Sequence, residues 1–130
     1  METFTTESAV RQAVRRIVAQ VPIIDIHTHI YPPAFGGLLL WGADELITYH
    51  YLVAETFRVL DMKYEDFWAM SKTAQADLIW KKLFVERSPI SESCRGVLTC
   101  LRSMGLDVAS RDLAAFRRYY ASRTVEQHVD

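Results

Sequence analysis

His27 and His29 are the two side chains in this chain whose type and spacing suggest chemistry most directly. They end the run Val21-Pro-Ile-Ile-Asp-Ile-His-Thr-His-Ile-Tyr31. Successive side chains of an extended strand point to opposite faces. Asp25, His27 and His29 then share one face, and Ile24, Ile26 and Thr28 share the other. Two neutral imidazoles held by rigid backbone make half of a divalent metal site. The competing reading is a pair of hydrogen-bonded core histidines. The context favours the metal, because the pair closes an apolar, β-branched run, follows a same-face Asp25 and precedes Pro32-Pro33. A strand of this pattern fits a (β/α)8 barrel. There the isoleucines face a helical layer, and the imidazoles face the axis at the C-terminal end of the strand, where barrel enzymes carry their chemistry.

The elements that must position these residues are mostly helical. A helix is expected over residues 5–20, with Val10, Val14, Ile17 and Val18 as its apolar stripe, ended by Pro22. Residues 32–42 read as a loop rich in Pro and Gly but also in Leu, Phe and Trp. Such a loop either covers the mouth of a site or packs on the helices that follow. Asp44 is the expected N-cap of a helix over 45–60, with Leu46, Tyr49, Val53, Phe57 and Leu60 as its apolar face and His50-Tyr51 inside it. A short turn or helix follows over 65–70. The next helix runs over 73–86 with Ala76, Ile79, Trp80, Leu83 and Phe84 on one side. Another is capped by Ser91 or Ser93 and ends at Gly105. A further one is capped by Ser110, with Leu113, Phe116 and Tyr120 on one side. Arg111, Arg117, Arg118 and Arg123 lie largely on the other and read as a solvated face. Thr124-Val-Glu-Gln127 has the form of a capping box.

Composition bounds the possibilities. The 130 residues are 50% apolar and 24% charged, with fifteen basic and sixteen acidic side chains. That near-neutral balance gives no footprint for nucleic acid or a membrane surface. No apolar run approaches the roughly 20 residues that span a bilayer, and no secretory leader pattern is visible. Cys94 and Cys100 fall in one expected helix, about 9 Å apart along it, too far for a disulfide. They read as small core hydrophobes in a reducing compartment, so the expected location is the cytoplasm. A complete barrel needs roughly 200 residues or more. The chain is therefore expected to be the first part of one: a leading helix (1–20), barrel strand one (21–31), an active-site loop (32–42) and a helical insertion (43–123). The fold class is α/β for the whole barrel, and mostly α-helical with one strand for this piece. A lone buried strand leaves its backbone groups unpaired, so the rest of the barrel or another copy of the chain is expected as partner.

The stretch Pro22-Ile-Ile-Asp-Ile-His-Thr-His29, the Trp41-Gly42 loop and the His50-Tyr51 helix together resemble the N-terminal part of the uronate (glucuronate) isomerases, in the amidohydrolase superfamily of metal-dependent barrels. The resemblance covers residues 21–107, including the long helical insertion with Trp80 and Leu83. It implies that His27 and His29 ligate zinc or a similar divalent ion, and that His50 and Tyr51 reach toward a sugar acid. It implies interconversion of aldose and ketose hexuronates, glucuronate with fructuronate, by the intact barrel and inactivity of this piece alone. Leu52-Val53-Ala54 departs from the polar run containing Trp and Arg that usually follows the His-Tyr pair. Two alternatives therefore stay open: a metal-dependent hydrolase of the same superfamily, and a non-catalytic helical module.

Overall fold

Thr6 opens the first helix: its hydroxyl accepts from the Ala9 N–H at 3.2 Å, which satisfies one of the donors a helix start leaves orphaned. This helix, α1, is Glu7–Gln20. The computed structural model describes residues 4–24, 26 and 41–129, and the chain divides into two compact units, Met1–Ile30 and Tyr31–Asp130.

In the first unit the bounds of α1 match the sequence expectation, and Glu7 accepts from Arg11 one turn on, at 2.8 Å. The stripe does not behave as a core face: Val10, Val14, Ile17 and Val18 are all exposed, and Ala13 is the buried residue of α1. The expected strand over 21–31 is also not seen among the described residues. Val21 is extended, but residues 21–24 and 26 form no ladder. Ile23, Ile24 and Ile26 are 80%, 88% and 94% exposed, so the isoleucines face no helical layer. The physical reason is the one the sequence already contains: a strand needs a neighbour to take its N–H and C=O groups. Asp25, His27, His29 and the loop through residue 40 lie outside the described residues.

The second unit is built from helices. They are α2 (Ala43–Ile47), α3 (His50–Phe57), α4 (Tyr64–Ala69), α5 (Lys72–Ile79) running on as a π-helical stretch Trp80–Val85, α6 (Glu92–Ser103), α7 (Leu113–Ala121) and α8 (Val125–Val129). Phe67, Phe84, Phe116, Ile47, Leu52, Ile79 and Leu101 are fully buried and make the core. The expected stripe Ala76, Ile79, Trp80, Leu83 and Phe84 is buried throughout. Trp80 stacks on Phe84 with centroids 4.4 Å apart and meets Phe116 edge-on at 5.5 Å.

Several helix starts differ from the sequence reading. The expected helix over 45–60 is two helices. Thr48 donates its hydroxyl to the Asp44 carbonyl at 2.7 Å, a local bond that competes with helix continuation, and Tyr49 is extended (φ −59°, ψ 139°). Gly42, not Asp44, precedes α2. The Asp44 carboxylate instead accepts from Arg117 Nε at 2.7 Å and from Thr73 Oγ1 at 2.9 Å. Arg117 is accordingly no solvated charge: it also reaches Asp77 at 2.7 Å and ties α2, α5 and α7 together. Asp112 rather than Ser110 caps α7, accepting from Ala115 N–H at 3.0 Å. Ser71 caps α5, two residues before the expected start, whereas Ser91, one of the two expected caps, does cap α6. The box at Thr124 is present as expected: Thr124 N–H donates to Gln127 Oε1 at 3.0 Å, and Gln127 N–H returns to Thr124 Oγ1 at 3.4 Å.

Gly105 ends α6 with φ 78°. Its N–H donates to the Arg102 carbonyl at 2.9 Å, and that of Leu106 to the Leu101 carbonyl at 3.1 Å, the paired bonds of a Schellman motif. A Cβ there would meet nothing within 4 Å, so the need for glycine is conformational. Gly105→Ala is expected to destabilise the chain by about 1 kcal/mol, and Gly105→Asn by less, because Asn tolerates this region. Urea unfolding midpoints measure both; equal stability of the alanine variant and the parent would refute the assignment.

Candidate active site

His50 and Tyr51 are the sequence-expected site residues that the structure describes. The break at Thr48-Tyr49 makes His50 the first residue of α3 rather than an interior one. Both side chains are exposed. Tyr49, His50 and Tyr51 form an aromatic cluster, with His50 centred 4.3 Å from Tyr49 and 4.2 Å from Tyr51. The rings nevertheless serve different recesses. His50 lines a groove of about 390 Å³ with Thr48, Val53, Ala54, Phe57, Tyr64 and Trp68. Tyr51 lines a smaller one of about 230 Å³ with Leu46, Tyr49, Leu52, Ser93, Gly96 and Val97. The second is lined mainly by apolar surface, with the hydroxyl-bearing residues Tyr49, Tyr51 and Ser93 among its walls.

The apolar run after the pair has a structural explanation. Leu52 is 1% exposed and Val53 8%, so two of the three departing positions pack the core of α3. Ala54 is the one that remains exposed and lines the His50 groove.

The wall of that groove is aromatic. Phe57 packs on Tyr64 with centroids 4.3 Å apart and meets Phe67 at 5.2 Å, and Phe67 meets Trp68 edge-on at 5.1 Å. Phe67 is fully buried, while Tyr64 and Trp68 stand out into the groove's mouth. The expected short turn or helix over 65–70 is a helix, α4; the signal the sequence reading passed over was the i, i+4 spacing of Tyr64 and Trp68.

Trp41 docks on the end of α7. Its Nε1–H donates to the carbonyls of Tyr120 at 3.3 Å and Arg123 at 3.2 Å, and its ring meets Tyr120 edge-on at 4.7 Å. For this described end of the expected 32–42 loop, packing on later helices is what is seen.

Cys94 and Cys100 are free thiols. Burial raises both above the ordinary thiol pKa, despite hydrogen bonds with Ser91 and Tyr120 that work the other way. Neither has the environment of an activated nucleophile, which fits their expected role as core hydrophobes. Arg117 lies within a network rather than a site: burial lowers its pKa, but the bonds to Asp44 and Asp77 outweigh this and hold it above the usual value. Among the described residues no three of His, Cys, Asp and Glu gather to hold a metal ion. No helix there is long and apolar enough to cross a membrane.

In backbone and in sequence together, the chain is similar to part of an isomerase. That protein is a uronate isomerase of Bacillus halodurans C-125, whose crystal structure matches 98% of this chain with a TM-score of 0.86 and 53% sequence identity. The present chain spans 30% of the length of that protein. The resemblance to the uronate isomerases drawn from the sequence is thereby borne out. No family model and no curated protein sequence matches the chain.

Proposed function

We propose that this chain is the first strand and helical insertion of a barrel enzyme that interconverts aldose and ketose hexuronates, glucuronate with fructuronate. The observation that carries this is the 53% identity to a uronate isomerase across 98% of the chain. In this reading His27 and His29 hold a divalent ion, with zinc suited to the imidazole donors. The residues fit such an ion only in part, since two imidazoles are half of a tetrahedral set. The remaining ligands come from the rest of the barrel or from another copy of the chain. The bound ion would polarise the oxygens of the sugar acid.

His50 and Tyr51 approach the sugar acid from the start of α3. Tyr51 moves the proton between C1 and C2, or donates a hydrogen bond to the developing enediolate. His50 orients the hydroxyls from the neighbouring groove. The packing of Leu52 and Val53 in the core accounts for their departure from the polar run.

The test is product analysis on the protein that carries this segment together with the remaining barrel strands, loaded with zinc. Glucuronate is expected to give a ketose of unchanged mass. A loaded enzyme that leaves glucuronate untouched overturns the proposal, as does one that consumes water in turnover.

A further inference from the structure

We propose that the recess between the end of α3 and the start of α6 is a site for a small phosphate monoester, held by Arg58, Arg87 and the Ser88 hydroxyl. The recess has a volume of about 240 Å³. Arg58 is the C-cap of α3, and Arg87 stands in the segment that leads from the π-helical stretch to α6. His50 and Tyr51 begin the same α3, roughly 12 Å away along its axis. The site is therefore separate from theirs and independent of the function proposed above.

Three observations carry the proposal. First, both arginines line the recess, and among the described residues neither guanidinium makes a hydrogen bond or ion pair. Glu86, the acid next to Arg87 in sequence, is taken by Lys82 at 2.8 Å and Lys81 at 3.7 Å.

Second, the carboxylate that lines the recess is engaged elsewhere. Glu55 Oε2 accepts from Ser91 Oγ at 2.6 Å and from Cys94 Sγ at 3.8 Å, and it pairs with neither arginine. Two guanidinia against one carboxylate leave the recess with a net positive charge, which selects an anion.

Third, the uncommitted donors exceed what a carboxylate can use. Each guanidinium presents a planar fork of N–H groups, and the Ser88 hydroxyl is without a partner among the described residues. Ser91 adds no donor, since its proton goes to Glu55 and its oxygen accepts from the Cys94 N–H. A carboxylate has two oxygens and is satisfied by one fork, whereas the three peripheral oxygens of a phosphate can be shared among Arg58, Arg87 and Ser88. The volume lies below the roughly 300 Å³ at which sites for drug-sized ligands begin, so the body of the ester is short.

The test is an NMR titration of the 130-residue chain with glycerol 3-phosphate, followed on the backbone amides of residues 86–94. A saturable shift is expected there. Arg58→Gln and Arg87→Gln should each weaken binding at least about tenfold, the effect of losing one charge-assisted bond. Glu55→Gln should tighten it about threefold, because a like charge beside the phosphate is removed. Arg95→Gln, at an exposed arginine of α6 outside the recess, should leave it unchanged. Glycerol and acetate should not saturate. An unmoved spectrum overturns the proposal. So does undiminished binding by the variant lacking both Arg58 and Arg87, an equal loss in Arg95→Gln, weaker binding by Glu55→Gln, or equal binding of acetate. The substituted arginines are exposed, and an unaltered Trp80 indole signal verifies that the core is intact.

Discussion

Replacing His27 and His29 together by alanine in the whole barrel enzyme is expected to lower glucuronate isomerisation by at least about 10³-fold. The estimate follows from the several kcal/mol of charge stabilisation a bound divalent ion provides, with each 1.36 kcal/mol worth about tenfold in rate. Zinc content, measured alongside the rate, should fall in parallel. Loss of activity with full zinc occupancy would assign the histidines some role other than ligation. The 130-residue chain gives a complementary result. With only half of a tetrahedral donor set it should surrender zinc to a mild chelator. A stoichiometric ion that resists dialysis would show that these helices complete the site themselves.

Trp80→Ala is the substitution expected to cost the most stability, about 3–5 kcal/mol on the scale for buried aromatic truncation. The ring is 4% exposed. It contributes the stack on Phe84, the edge contact to Phe116 and a bond from Nε1–H to the Arg111 carbonyl at 3.1 Å. That bond matters beyond itself, because Arg111 has φ 53°, a left-handed conformation that costs roughly 1–3 kcal/mol in a non-glycine residue. Arg111 is held there from both ends, since its guanidinium donates to the Val85 carbonyl at 3.1 Å. Trp80→Phe separates the terms: it retains most of the packing but loses the donor, and should cost about 1–2 kcal/mol. Urea unfolding with an unchanged slope reads both. A phenylalanine variant as unstable as the alanine one would mean that the bond to the Arg111 turn, and not the cavity, dominates.

Together these predictions separate two parts of the chain. Trp80, Phe84 and Phe116 belong to the helical unit and pack on one another in its core. His27 and His29 belong to a stretch whose proposed chemistry needs residues from elsewhere, and whose apolar neighbours Ile23, Ile24 and Ile26 stand in water.

What the amino-acid order determined by itself was local. The bounds of α1, the apolar stripe from Ala76 to Phe84, the glycine end at Gly105 and the box at Thr124 all follow from spacing and from single residues that satisfy nearby backbone groups. The resemblance to uronate isomerases was legible for the same reason, since it rested on short runs such as His27-Thr-His29 and His50-Tyr51. Tertiary structure alone decided what depends on distant partners. Arg117 appeared to be a surface charge until Asp44 and Asp77, far away in sequence, met it. Asp44 was drawn from its capping role by the same contact. His50 and Tyr51, adjacent in sequence, came to line separate recesses because neighbouring residues of α3 point about 100° apart and different segments pack beside each. On α4 the packing turned Phe67 inward and left Tyr64 and Trp68 facing out. Local bonds close within a turn and can be read from neighbours, whereas ion pairs and grooves form only after the chain has brought remote segments into contact.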